Sequence, residues 1–124
     1  MEIPSSLNIL GTQLSPCWLR KPTGFCRDGY CRPHQYDAGN HVVCAVITEE
    51  FLRYTGGQGN DLVTPRPEYS FPGLEAGDRW CLCALRWKEA YIAGVAPPIV
   101  AESTHEDTLK FIDRDILFAS ILKT

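Results

Sequence analysis

Two cysteines one residue apart, Cys81 and Cys83, are the most pointed chemical feature of this sequence. In a strand, residues two apart project from one face. An extended Trp80-Cys81-Leu82-Cys83 segment therefore sets both thiols on one side, with Trp80 and Leu82 on the other. Two sulfurs on one face suit a soft metal such as zinc, or a nucleophile with its resolving thiol. A direct bridge between them is awkward, because the Cα separation along a strand approaches the upper limit for a disulfide. The usual zinc knuckle is Cys-x2-Cys, so this spacing leaves simple burial open as well.

Other residues extend the set. His41 and Cys44 lie three apart, on opposite faces of a strand, so only one can meet Cys81 and Cys83 unless His41 precedes the strand. Cys44 reads as a small buried hydrophobe. His105 falls at a predicted helix N-terminus, where the dipole disfavours the cation. A neutral imidazole there serves as general base or metal ligand, or simply packs in the first turn. Arg66 stands between Pro65 and Pro67, which restrict the backbone and hold the guanidinium ready for an anionic ligand. A separate group is Cys17, Cys26 and Cys31. Asp28-Gly29 suits a two-residue hairpin turn, which sets Cys26 across from Cys31, close enough to bridge or to share a metal. His34, beside Pro33, has no evident partner.

The elements that must position these residues follow from periodicity. The uninterrupted β-forming run His41–Ile47 is a strand buried on both faces. Thr48 caps a helix from Glu49 to Tyr54 that ends at Gly56-Gly57. Trp80–Cys83 is a second strand, Leu85–Ala93 a helix stopped by Gly94, and Pro98–Glu102 a further short strand. Ser103 with Glu106 three later resembles a capping box. It opens a helix through Leu109 and Ile112, interrupted at Asp113, before a last helical face of Ile116, Leu117, Ser120 and Ile121. The expected fold is α+β: a small mixed sheet, three or four short helices and a loop-rich N-terminal third. One domain is expected over 1–124, with 1–40 irregular around the hairpin and 41–124 the core. Residues 57–79 lack either period and hold three prolines, and long structureless stretches of this kind are often functional.

Composition narrows the class. The chain has 124 residues, enough for one core without staples. A net charge of −3 with scattered Lys and Arg argues against a nucleic-acid partner. No apolar run reaches the length of a membrane span. Glu2 and Pro4 break a secretory pattern, so the expected home is the reducing cytoplasm. There, six clustered cysteines lean toward metal or thiol chemistry. Neither a phosphate-binding Gly-rich loop nor a Gly-x-Ser-x-Gly nucleophile elbow is present.

Several runs match a known family: His41-Val42-Val43-Cys44-Ala45-Val46-Ile47-Thr48-Glu49-Glu50-Phe51, Gly59-Asn60-Asp61-Leu62 with Thr64-Pro65-Arg66-Pro67-Glu68, Phe71-Pro72-Gly73-Leu74, Gly77-Asp78-Arg79-Trp80-Cys81-Leu82-Cys83-Ala84 and Thr104-His105-Glu106. They closely resemble a bacterial family catalogued as domain of unknown function 2237, from Asn8 to the final helix. The resemblance implies a stand-alone domain of this length, and the family name carries no function. The family hairpin reads Phe-Tyr-Arg-Asp-Gly-Cys-Cys. Here Cys26 and Tyr30 stand at the Tyr and first Cys positions, so a site needing a thiol at position 30 lacks it, and Cys26 replaces it only in part.

Three functional readings follow. The leading one is a metal-binding or thiol site near Cys81, Cys83 and His105, with Arg66 orienting an anion. The second is a metal-free, thiol-dependent enzyme, which needs a partly exposed cysteine beside a cation or helix N-terminus. The third is a non-enzymatic interaction module presenting Tyr69 and Phe71 on the Pro-rich 63–73 loop, with an exposed apolar patch there.

Overall fold

A computed structural model describes residues 6–18, 20–21 and 23–122. The β-branched run becomes strand β1, His41–Val46, whose four middle residues are buried. It pairs antiparallel with β2, Arg79–Cys83. The register sets Val46 against Arg79, Ala45 against Trp80, Cys44 against Cys81 and Val43 against Leu82. A bulge then intervenes, and His41 faces Cys83. One extra residue on β1 shifts the alternation by one. His41 and Cys44, three apart, thus both meet the Cys81/Cys83 strand, which strict alternation forbids.

The far edge of β1 is also covered. Val46 N–H donates to the Pro98 carbonyl at 2.9 Å, and Val100 N–H donates to the Cys44 carbonyl at 2.8 Å. Ala45 bridges Ile99, which in turn bridges Ile121 in parallel. The expected strand Pro98–Glu102 is thereby cut to single bridges and a 3-10 turn at Ala101–Ser103. Pro97 and Pro98 supply no N–H donors, so a longer ladder cannot form there.

Helix α1, Glu49–Gly57, starts where Thr48 accepts a hydrogen bond from Phe51 N–H and buries Phe51, Leu52 and Thr55. Helix α2, Ala84–Ile92, follows β2 without a linker, so Cys83 is its N-cap residue. Trp87 of α2 is fully buried, and its indole N–H donates to the Pro97 carbonyl at 2.9 Å. Its ring stacks on Tyr91 at 5.7 Å, as the four-residue spacing allows. Gly94 ends the run with φ of 81°, the left-handed conformation common just past a helix. The third helix, α3, is Arg114–Ala119, after a break at Asp113. The capping-box reading needs correction. His105, not Ser103, caps the 3-10 turn Glu106–Lys110, and the Ser103 hydroxyl instead donates to the Pro16 carbonyl.

The architecture is α+β, with a two-stranded antiparallel sheet in place of the expected mixed one and three α-helices. Val42, Val43, Phe51, Trp80, Trp87, Ile99 and Leu117 form the centre of the main core. A second buried cluster consists of Cys17, Cys31, Cys44 and Cys81, with Val100 against it. Among the described residues, 6–40 hold no helix or strand. Buried Asn8 organises their start: its amide donates to the Thr12 hydroxyl and the Glu102 carbonyl, and its oxygen accepts from Leu10 and Thr12 N–H. The expected Asp28-Gly29 hairpin does not form. The left-handed residues are Arg27 and Gly29, and the Asp28 carboxylate accepts from Tyr30 N–H, a local turn that competes with strand pairing.

Candidate functional site

Four of the six cysteines are joined in pairs, Cys17 with Cys44 and Cys31 with Cys81, at Cα separations of 5.6 and 5.2 Å. The expected neighbours Cys26 and Cys31 are therefore apart in bonding: Cys31 is tied to β2, and Cys26 is an exposed free thiol. Cys44 and Cys81 oppose each other on the ladder, yet each bonds to a cysteine from the irregular N-terminal third. Disulfide sulfurs hold no thiolate for a metal, so in this state Cys17, Cys31, Cys44 and Cys81 are cross-links.

Cys83 is the other free thiol, half-buried. It lines a pocket of about 490 Å³ together with Cys81, Trp80, His41, Arg66 and Asp61. The β1–β2 register pairs Cys83 with His41, and both line this pocket. Cys83 is also the N-cap residue of α2, and its side chain makes no capping hydrogen bond there.

His41 is held from behind. Its Nδ1 lies 2.8 Å from Oδ1 of Asp37, and its backbone N–H donates to Oδ2 of the same carboxylate at 2.9 Å. Asp37 is almost fully buried, and Gly39 N–H gives its carboxylate a further bond. A carboxylate only accepts, so Nδ1 carries a proton, and in the neutral ring the lone pair lies on Nε2. Gly39 leaves room for the ring, since a Cβ there would meet His41 Cε1 at 2.8 Å. A thiol and an imidazole thus line one pocket, with a carboxylate holding the imidazole.

Two arginines approach the pocket with different tasks. Arg27 spends its guanidinium on the carbonyls of Gly24, Tyr69 and Ser70 and lies 5.3 Å from the Trp80 ring. Burial lowers its pKa from the ordinary value. It clamps the 66–71 loop to the N-terminal third. Arg66 forms no ion pair among the described residues, which leaves its charge to the pocket. Its backbone is fixed by paired hydrogen bonds with Phe71 at 2.8 and 3.0 Å. Nearby Asp61 is held below the usual carboxylate range by the Thr64 hydroxyl and the N–H groups of Val63 and Thr64, with a smaller contribution from Arg66.

His105 lies elsewhere, buried, with Asn8 bridged to it. Its Nδ1 accepts from Asp107 N–H at 2.9 Å. Its pKa is lowered, as expected at a helix start, but burial is the main cause; Asp107 and Glu106 oppose the shift. Capping accounts for this histidine, and among the described residues that line the pocket it does not figure. The His34 ring lies between Phe25 and Tyr36, tilted against both. The interaction-module reading meets a correction. Phe71 is buried edge-on against Trp80 at 5.3 Å, and only Tyr69 of the pair is exposed. Phe71 fills the core because Arg66 and Phe71 close a tight backbone bridge that turns its ring inward.

Sequence reasoning names Cys83, His41 and Arg66 but misses Asp37 and Arg27. Asp37 carries a signal in its place four residues before His41, across the turn formers Ala38-Gly39-Asn40. Among the described residues, no helix is long and apolar enough to cross a membrane. No curated protein matches the sequence. A family model described as uncharacterised protein conserved in bacteria, domain of unknown function 2237, matches residues 7–120, and the chain belongs to that family.

Proposed function

We propose that this chain is a cytoplasmic, thiol-dependent protein whose pocket uses Cys83 as nucleophile on a small anionic ligand. The observation that supports it best is the register pairing of Cys83 with a histidine whose Nδ1 is fixed by a buried carboxylate. In the proposed step, Cys83 gives its proton to Nε2 of His41. Its sulfur forms a bond to an electrophilic carbon of the ligand, and the leaving group departs with the electron pair of the broken bond. Asp37 stabilises the resulting imidazolium. Arg66 pairs with the ligand's anionic group, and Trp80 with Phe71 gives the pocket an apolar wall.

The test is the rate at which iodoacetate and iodoacetamide modify Cys83, followed by peptide mapping. The two probes differ in charge alone at the end Arg66 would hold. A partly exposed ion pair is worth about 1 kcal/mol, or roughly five-fold in rate. The iodoacetate-to-iodoacetamide ratio at Cys83 is therefore expected to fall by about that factor in Arg66→Gln. An unchanged ratio would remove Arg66 from the site.

A further inference from the structure

The disulfide cluster holds more than two bonds. The sulfurs of Cys17, Cys31 and Cys81 all lie within 4.8 Å of one another, and Cys44 is bonded to Cys17. All four residues are at most 3% exposed. A tetrahedral zinc with Zn–S bonds of about 2.3 Å sets its sulfurs about 3.8 Å apart, which is the scale of the Cys17, Cys31 and Cys81 set, beside which Cys44 is held by its bond to Cys17. We propose that the reduced chain binds one zinc ion through Cys17, Cys31, Cys44 and Cys81, so that the same sulfurs form two disulfides or a metal site according to redox state.

The array does not depend on the S–S bonds alone. Cys17 N–H donates to the Gly29 carbonyl at 2.6 Å. Cys44 N–H donates to the Thr104 hydroxyl at 3.2 Å and Cys81 N–H to the Thr23 hydroxyl at 2.8 Å. Cys44 and Cys81 are in addition fixed opposite each other on the ladder. These bonds keep the sulfurs together after reduction. The cluster is also separate from the main core, with Val100 its only packed hydrophobic neighbour among the described residues. Sulfur thus supplies the covalent junction between the irregular N-terminal third and the sheet here, beside the Thr23–Cys81 hydrogen bond. In a reducing compartment disulfides are rare, and four buried thiols would leave that junction without a cross-link. A zinc ion restores it, because structural zinc contributes folding free energy directly.

The chemistry balances in two steps. Each disulfide takes up two electrons and two protons to give two thiols; a dithiol supplies them and becomes its own disulfide. The four thiols then release four protons as zinc binds four thiolates. Cys81 borders the pocket, but Cys83, His41, Asp37 and Arg66 take no part, so this inference stands or falls independently of the reactivity of Cys83.

The test uses the wild-type chain and needs no folded variant. A water-soluble phosphine in the absence of air reduces each disulfide, with water, to two thiols and a phosphine oxide. The phosphine is removed and zinc chloride added. Native mass spectrometry is expected to show one zinc per chain. Alkylation mapping is expected to show Cys17, Cys31, Cys44 and Cys81 slowed at least about tenfold by zinc, since metal-bound thiolates are not free nucleophiles. Cys26 and Cys83 stay reactive, and Cys83→Ser binds zinc equally. Cobalt in place of zinc should give the absorption of a tetrahedral thiolate site. A reduced chain that retains no zinc, with all six cysteines alkylated at the same rates with and without it, would overturn the proposal. So would zinc that protects Cys83 instead, because the metal would then lie in the pocket.

Discussion

Replacing Asp37 with Asn changes one oxygen for an NH2 group and tests whether the His41 ring is set up as a base. The wild-type carboxylate accepts from the ring at 2.8 Å and from the His41 backbone N–H at 2.9 Å, almost out of reach of water. An Asn can satisfy only one of these with its oxygen. If the oxygen stays on the backbone N–H, the amide NH2 faces Nδ1. The ring must then carry its proton on Nε2 and can no longer take one from Cys83. A hydrogen bond to a charged group is worth about 1.5–3 kcal/mol, and 1.36 kcal/mol is a factor of ten in rate. Alkylation of Cys83 by iodoacetamide should therefore slow by about ten- to 150-fold, with Cys26 unaffected as an internal reference. The alternative Asn rotamer keeps the tautomer but leaves the His41 N–H against a donor, which lowers the melting temperature instead. Mass mapping over time and a thermal melt on the same sample separate the two. A variant with the wild-type melt and the wild-type Cys83 rate would refute the reasoning.

Four more predictions follow from the geometry. Gly39→Ala puts a Cβ 2.8 Å from His41 Cε1 and should slow Cys83 alkylation by displacing the ring, with little change in the melt because no left-handed φ is at stake. Removing Cys17–Cys44, separated by 27 residues, with paired Ala substitutions should cost about 3.5 kcal/mol in urea unfolding under oxidising conditions. Removing Cys31–Cys81, separated by 50, should cost about 4 kcal/mol; losses below about 1 kcal/mol would contradict the chain-entropy account. Burial keeps the His105 pKa below its unfolded value, so the unfolded chain binds a proton that the folded chain refuses. Stability is then full above about pH 6.5 and falls as pH drops through that value toward the folded pKa. His105→Asn, which retains a capping side chain, should flatten that dependence in melts taken between about pH 8 and 5.

The strands and helices are legible in the sequence because their signals are local. The β-branched run at 41–47, the Thr48 cap and the glycine stop at 94 each act over a few residues and match what forms, whereas α1 runs on through Gly56-Gly57 to a cap at Gln58. The pairing of sulfurs is not legible. Cys31 reaches Cys81 across 50 residues, while the Asp-Gly signal points it at its near neighbour Cys26. Local turn chemistry at Asp28 breaks the hairpin, and long-range packing chooses the partner. The site is half legible for a similar reason. Cys83 and Arg66 stand out by composition, but strict alternation lets only one of His41 and Cys44 meet β2. A single bulge between His41 and Val43 brings both there, and no residue pattern in a buried valine run announces a bulge. His105 draws notice for the right electrostatic reason, yet a capped, buried ring with its lone pair spent on Asp107 N–H has none left to give at that atom.

The most direct measurement is a competition between the two free thiols. The oxidised, folded chain is treated with limiting iodoacetamide, and the ratio of Cys83 to Cys26 modification is read by mass spectrometry, with a urea-unfolded sample as reference. Exposure alone favours Cys26, which is open to solvent, over half-buried Cys83. Activation by His41 reverses the order. The account predicts that Cys83 reacts first in the folded chain and that the preference vanishes on unfolding. Cys26 reacting first when folded, in line with its exposure, would contradict it.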